Sequence, residues 1–227
     1  EKFGFGSKTG IDLNGESTGI VFKLDRVGNV ELSTTAFGQG VSVTPIQQVT
    51  AVSAIVNGGY LNKPYIVKNI SESKTNTIIK ENNKQFVRKV ISEETSNIMK
   101  RALENVVAKG GGKSAYIEGY RIGGKTGTAQ KVQDGKYLVG NYIMSFMSVV
   151  PSNNPKAVLY LAIDNPKNTA LLSSYTTTPI ARRILLDIIE SLDIKPQENG
   201  IKKDLEWTDK EIHEVPNVIG LTKEEAK

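Results

Sequence analysis

Apolar residues recur along the chain in two rhythms, one of three or four and one of two, and their alternation lays out the predicted elements. Thr44-Pro45-Ile46-Gln47 joins a capping hydroxyl, a proline at the first helical position and a glutamine three residues past the cap. That set satisfies the free amides of a new helix. Ile46, Val49, Val52 and Val56 follow at helical spacing until Asn57-Gly58-Gly59 stops the run. A second helix is predicted from the cap and first-turn acids Ser92-Glu93-Glu94, through the stripe Ile98, Met99, Ala102, Leu103, Val106 and Val107, to Lys109-Gly110-Gly111-Gly112. Three glycines in a row predict a supple loop, suited to movement or to the close approach of a ligand. A third helix is predicted where Thr178-Pro179 repeats the cap-then-proline device and Ile180, Ile184, Leu185, Ile188 and Leu192 share a face.

The other rhythm marks strands. Residues 60–67 and 86–91 read as two, joined by a polar connection rich in Ser, Lys and Asn. Three more are predicted at 116–132, with a break near Gly123-Gly124, at 138–150 and at 157–164. Their connections, Gln133-Asp134-Gly135 and Pro151-Ser152-Asn153-Asn154-Pro155, are short and made of turn-forming residues, which implies an antiparallel meander. Helix, meander and helix give an α+β class, an antiparallel sheet covered by helices. Residues 1–40 read as irregular, with β-like pieces at 19–24 and 30–32. Residues 1–194 form the main unit and 195–214, nearly all polar, a linker. A short strand at 215–219 and the capping box Thr222-Lys223-Glu224-Glu225 then open a second unit; its thirteen residues are too few to fold alone.

Composition narrows the chemistry. With 38% hydrophobic and 23% charged residues in 227, the chain has the make-up of a globular protein with a real core. Its longest apolar runs, at 142–150 and 157–163, fall short of the ~20 residues of a membrane-spanning helix, so a membrane anchor is expected outside this chain. The first residues, Glu1-Lys2-Phe3-Gly4, carry no apolar signal core. Absence of Cys removes thiolate zinc sites, disulfides and a cysteine nucleophile. The single histidine, His213, lies in a charged stretch and reads as a linker residue, which leaves no basis for a Ser-His-Asp triad or a histidine metal site. No metal and no cofactor are expected. The net charge of +5 belongs to residues 1–194, since 195–227 carry an excess of acids. No Lys/Arg run exceeds two and few aromatics interleave, so a solvated basic face is favoured over nucleic-acid binding.

The chemistry concentrates in Gly123-Gly124-Lys125-Thr126-Gly127-Thr128-Ala129-Gln130. On a strand, the Lys125 ammonium creates a positive field, the Thr126 hydroxyl can bond one oxygen of a ligand carboxylate, and Gly127 removes a side chain that would block an extended ligand. That suits β-addition of a peptide with an anionic end, with the Thr128 amide as an oxyanion donor. Three look-alikes are set aside on context. Ser7-Lys8-Thr9-Gly10 repeats the triplet Lys125-Thr126-Gly127 in a segment without strand periodicity. Ser71-Glu72-Ser73-Lys74 spells S-x-x-K in a polar connection, and Ser152-Asn153-Asn154 spells S-x-N in a turn after the Lys125 strand.

Taken together, residues 3–16, the run Phe37-Gly38-Gln39-Gly40-Val41-Ser42-Val43-Thr44-Pro45-Ile46-Gln47, and Gly124 to Gln130 closely resemble the late part of a class B penicillin-binding protein transpeptidase domain. Asn141-Tyr142 through Val150-Pro151 is similar to that family's next strand. Val215-Pro216-Asn217-Val218-Ile219-Gly220-Leu221 resembles the opening of a PASTA repeat, a small α/β module, which points to a Gram-positive enzyme of the sporulation type.

The resemblance implies acyl transfer by a serine D,D-transpeptidase that cross-links peptidoglycan stem peptides through an acyl-enzyme, with β-lactams acylating the same serine. By that resemblance Lys125 and Thr126 engage the substrate or antibiotic carboxylate, Gly127 gives clearance, Thr128 supplies an oxyanion amide and Gln130 lies beside the acylated group. Phe37 to Gly40 and the helix after Thr44 are scaffold near the site. The family's S-x-x-K and S-x-N motifs precede Phe3-Gly4-Phe5-Gly6, so the nucleophile is expected upstream of residue 1, and the 227 residues alone are expected to form no penicillin adduct. The implied partners are stem peptides, β-lactams and a SEDS-family glycosyltransferase, at the outer face of a bacterial cell membrane or the membrane around a forespore. A β-lactamase-like serine hydrolase or penicillin sensor stays open, although the PASTA-like ending argues against it, as does a non-catalytic wall-binding protein of the same fold.

Overall fold

The computed structural model describes residues 2–133, 135–167 and 173–204. Its elements run α1 (Asn29–Ala36), α2 (Pro45–Val56), β1 (Tyr60–Lys63), β2 (Asn69–Ser71), β3 (Ile78–Glu81), β4 (Gln85–Lys89), α3 (Glu93–Lys109), β5 (Gly123–Gln133), β6 (Lys136–Val150), β7 (Ala157–Asp164), α4 (Ser173–Thr176) and α5 (Thr178–Ser191). Among the described residues, β5, β6 and β7 form an antiparallel sheet in sequence order, the meander expected from the short connections. Two further antiparallel pairs, β1 with β4 and β2 with β3, stand apart from it.

The helices start where local chemistry dictates. The Thr44 hydroxyl accepts the Gln47 N–H while the Gln47 side chain accepts the Thr44 N–H at 2.9 Å, the reciprocal cap read from the sequence. Gln47 does more than cap: it is buried, and its Nε2 donates to the carbonyls of Ser7 and Thr18 at 2.8 and 2.9 Å, tying the irregular opening segment to α2. The Ser92 hydroxyl caps α3 by accepting the Thr95 N–H at 3.0 Å.

The core lies between the sheet and α5. Phe146 and Val150 of β6 meet Ala181, Leu185 and Ile189 of α5, with Val107 of α3 and Ala115, Ile117, Ile122 and Ile194 closing the cluster. Side chains alternate across a strand. A Cβ on Gly124 would stand 2.4 Å from Phe146 Cζ, on the α5 side, whereas one on Gly123 would stand 3.1 Å from Leu103 Cβ of α3, on the other. The two glycines let β5 start between Leu103 of α3 and the Phe146 ring; no strand precedes them, so the break expected at Gly123-Gly124 is the beginning of the strand.

Several elements differ from their sequence patterns. Residues 30–32, read as β-like, lie in α1; Val30 and Leu32 are exposed there, so their alternation never met a buried sheet face. Residues 19–24 contribute only a single bridge, Ile20 to Ser42. The strand expected over 60–67 stops at Lys63, where Pro64 brings no N–H to continue a ladder, and the one expected over 86–91 is Gln85–Lys89. The polar connection between them forms the β2–β3 hairpin, invisible to periodicity because every residue in it is exposed. The strand expected from 116 begins at Gly123, after a 3₁₀ turn at Lys113–Ala115. Thr178 does not cap α5. Instead α4 runs directly into α5, and the hydroxyls of Thr177 and Thr178 donate backwards to the carbonyls of Ser173 and Ser174 at 2.9 and 2.6 Å.

The expected linker is described as far as Asp204, and that part is strapped to the body. Gln197 N–H donates to the Gly119 carbonyl at 2.7 Å and Asp204 N–H to the Ala108 carbonyl at 2.9 Å. Between them, Ile201 N–H reaches Glu104 Oε1 at 2.9 Å. Glu104 is 3% exposed and also accepts a bidentate Arg121 guanidinium, with 2.7 Å at its shortest, and the Ser152 hydroxyl at 2.7 Å. Desolvation pushes its carboxyl up, but the hydrogen bonds from Arg121, Ser152 and Ile201 and the guanidinium charge prevail, holding it below the ordinary glutamate value. The remainder of the linker, His213 and the PASTA-like residues 215–227 lie outside the described residues.

Candidate active site

The sequence places Lys125, Thr126, Gly127, Thr128 and Gln130 on one strand, and the structure puts that strand at a sheet edge. β5 pairs with β6 alone; among the described residues no strand lies on its other side. Thr126 stands opposite Phe146, Gly127 opposite Ser145 and Thr128 opposite Met144.

Which backbone groups face the open edge follows from the carbonyls. In extended chain a residue's N–H and C=O point to the same side, and successive residues alternate. The Thr126 carbonyl accepts Lys125 Nζ at 2.6 Å, and the Thr128 carbonyl accepts Gln39 Nε2 at 3.5 Å, neither of them a sheet partner. Across the sheet Asn165 N–H donates to the Tyr142 carbonyl at 2.8 Å, so Tyr142, Met144 and Phe146 turn their backbone groups to β7 and Ser145 turns to β5; its partner Gly127 therefore faces β6, while the amides of Thr126 and Thr128 face outward. Lys125 and Thr128 are exposed and Thr126 half-buried.

The surroundings come from four distant stretches. Gly111, in the triple-glycine loop, lies beside Thr126: a Cβ there would sit 3.8 Å from Thr126 Oγ1. Gln39, from the Gly38-Gln39-Gly40 turn, reaches the strand from 89 residues away. A Cβ on Gly127 would come 2.6 Å from Ser145 Oγ, so at this position glycine makes room for the neighbouring strand's hydroxyl. Ser173, at the start of α4, donates its hydroxyl to the Gly127 carbonyl and stands 2.8 Å from Thr128 Oγ1. Nothing in the sequence pattern marks Ser173 as part of this site; its role depends on a fold that returns α4 to β5. Gln130 turns its side-chain amide to the Leu138 carbonyl at 3.3 Å, across the β5–β6 hairpin.

The look-alike motifs have structural uses. Thr9 and Gly10 of the first triplet clamp Glu16, whose Oε1 accepts Thr9 N–H and Thr9 Oγ1, both at 2.6 Å, and whose Oε2 accepts Gly10 N–H at 3.0 Å. Burial opposes ionisation of Glu16, but these bonds outweigh it and its carboxyl is held down. Ser71 ends the exposed strand β2, and Ser152 is buried on Glu104. No three His, Cys, Asp or Glu side chains among the described residues gather as a metal site.

The family model of the penicillin binding protein transpeptidase domain matches residues 1–188, the stretch that carries this edge strand. The chain belongs to that family. Among curated relatives of this transpeptidase domain, stage V sporulation protein D of Bacillus subtilis, a Gram-positive organism, is 54% identical over 97% of the chain and 34% of its own length. The peptidoglycan D,D-transpeptidase FtsI of Escherichia coli K12 is 29% identical over 86% of the chain and 31% of its own length. The chain thus spans about a third of the length of these relatives. Among solved structures, penicillin binding protein 3 of Mycobacterium tuberculosis, complexed with ampicillin, superposes with a TM-score of 0.79 at 26% identity, covering 90% of this chain and 48% of that one. The α+β class expected from the element order is therefore that of the penicillin-binding transpeptidases. No described helix of the domain is long and apolar enough to cross a membrane.

Proposed function

We propose that this chain forms the carboxylate-binding and oxyanion-binding wall of a serine D,D-transpeptidase that cross-links peptidoglycan stem peptides. The observation that carries the reading is the open edge of β5, where the Thr126 and Thr128 amides face outward beside the Lys125 ammonium. A peptide ending in D-Ala-D-Ala lies along that edge, its terminal carboxylate held by Lys125 and the Thr126 hydroxyl. A serine hydroxyl from an S-x-x-K motif upstream of residue 1 attacks the penultimate carbonyl, and the Thr128 N–H stabilises the oxyanion that forms. D-alanine leaves, and an amine of a neighbouring strand takes the acyl group and frees the serine. A β-lactam presents a comparable carboxylate and acyl carbon and stops at the acyl-enzyme. Gly127 keeps the strand free of a side chain and Gln130 borders the acyl group. The reading includes a membrane anchor and a SEDS-family glycosyltransferase partner, at the extracytoplasmic face of a bacterial or forespore-surrounding membrane. It also includes a linker over 195–214 and a PASTA module opening at 215–227. Kinship with a sporulation protein supports placing the enzyme in spore-wall synthesis.

The test is fluorescent-penicillin labelling of the full-length protein that contains this chain, followed by intact mass. A stoichiometric adduct is expected there and none on residues 1–227 alone. Thr126→Val should lower the acylation rate by no more than the roughly 10²–10³-fold that loss of a positioned donor costs. A folded full-length protein that takes no label would defeat the proposal and favour a non-catalytic wall-binding protein.

A further inference from the structure

The peptide unit between Gly127 and Thr128 has a second owner. Its carbonyl belongs to Gly127 and its N–H to Thr128, and in a trans peptide the two point in opposite directions in one rigid plane. Ser173 donates its hydroxyl to that carbonyl. With its one proton so committed, Ser173 Oγ can only accept at its 2.8 Å contact with Thr128 Oγ1, which sets the order Thr128 O–H to Ser173 O–H to Gly127 C=O. Ser173 is 2% exposed and its own carbonyl is bonded by the N–H and the hydroxyl of Thr177, both at 2.9 Å, Thr177 itself being fully buried between α4 and α5. The hydroxyl that grips the peptide is thus anchored to the helix packed on the core.

We propose that Ser173 is a positioning residue for the oxyanion donor. It acts through the peptide: a bond accepted by the Gly127 carbonyl polarises the whole amide, making the Thr128 N–H a stronger donor, and at the same time fixes the plane in which that N–H points out of the sheet edge. Ser173 touches no substrate, because it lies on the far side of the peptide from the outward amide. The inference deepens the transpeptidase reading and rests on it.

The test uses the full-length protein and separates the acylation rate constant from the penicillin dissociation constant by stopped-flow fluorescence. Ser173→Ala should slow acylation about tenfold, less than the roughly 10²–10³-fold cost of losing the donor itself. The dissociation constant should stay unchanged, since carboxylate binding by Lys125 and Thr126 is untouched. Difference infrared spectroscopy should show the acyl-enzyme ester carbonyl stretch shifted upward, the mark of a weaker oxyanion bond. Ser173→Thr, which keeps the hydroxyl, should recover most of the rate. Ser173→Cys keeps the shape with a weaker donor and should fall between, so that a misfolded alanine variant does not end the test. Wild-type rates in the alanine or cysteine variant, or slowed acylation with an unmoved carbonyl stretch, would overturn the positioning role alone. A wild-type protein that is never acylated would instead remove the transpeptidase reading, and the inference with it.

Discussion

Arg121→Ala is the perturbation whose cost the structure states most fully. The guanidinium meets both Glu104 oxygens, Nε at 3.1 Å to each and Nη2 at 2.7 Å to Oε2, and its side chain is 21% exposed against 3% for Glu104. Removing the arginine strands the more deeply buried partner. Breaking a buried pair from one side costs about 3–5 kcal/mol. Glu104 keeps the Ser152 hydroxyl at 2.7 Å and the Ile201 N–H at 2.9 Å, which sets the expected loss at the lower end, about 3 kcal/mol. For a protein of this size that is a fall of about 6–12 °C in melting temperature.

The pH dependence supplies the sign. In the natural protein the Glu104 carboxyl is held below its ordinary 4.5, so its stabilisation is present above that value and is lost only as pH falls through the lowered one. In Arg121→Ala the two contributions of the guanidinium vanish while desolvation, the largest single influence on the group, remains, so the carboxyl should rise. The penalty should therefore shrink as pH falls from about 7.5 to about 5. Urea melts at the two pH values measure it, and Glu104→Gln in the Arg121→Ala background should regain part of the loss by removing the stranded charge. A cost below about 1 kcal/mol, or a penalty indifferent to pH, would refute the view that Glu104 depends on Arg121 for its burial.

Other substitutions probe the scaffold. Thr44→Ala removes the hydroxyl that accepts the Gln47 N–H and should cost about 0.5–2 kcal/mol in a chemical melt, with hydrogen exchange fastest in the first turn of α2. Gly124→Ala drives a Cβ to 2.4 Å from Phe146 Cζ and 2.8 Å from the Met147 carbonyl, an overpacking expected to cost about 1–3 kcal/mol and to slow penicillin acylation by moving Lys125 and Thr126; unchanged kinetics would show the strand root to be compliant. Gly127→Ala meets the Ser145 hydroxyl at 2.6 Å instead, so pairing it with Ser145→Ala should recover stability in a chemical melt, and any penicillin labelling still lost measures the clearance Gly127 gives the ligand.

Local chemistry made α2, α3 and the β5–β6–β7 meander legible in the sequence. A cap, a proline, a stripe of Val and Ile or a short turn acts within a few residues of itself, and each such signal was repeated by its neighbours. The same locality explains the failures. Val30 and Leu32 alternate like a strand but sit exposed on α1, and the β2–β3 hairpin has no buried face to impose a rhythm. Thr178 reads as a cap from the Thr178-Pro179 pair, yet α4 ahead of it turns its hydroxyl into a donor.

The octet from Gly123 to Gln130, and the chemistry its residue types can perform, were fixed by residue order alone. Only the folded chain decided that its strand would be left open on one side, that Gln39 and Gly111 would border it, and that Ser173 would take hold of the Gly127 carbonyl. Likewise, Glu104, Arg121, Ser152 and Ile201 carry no shared motif and meet across as many as 97 residues. Such contacts depend on the packing of α3 and α5 against the sheet, a cooperative property of the whole core that no window of sequence contains.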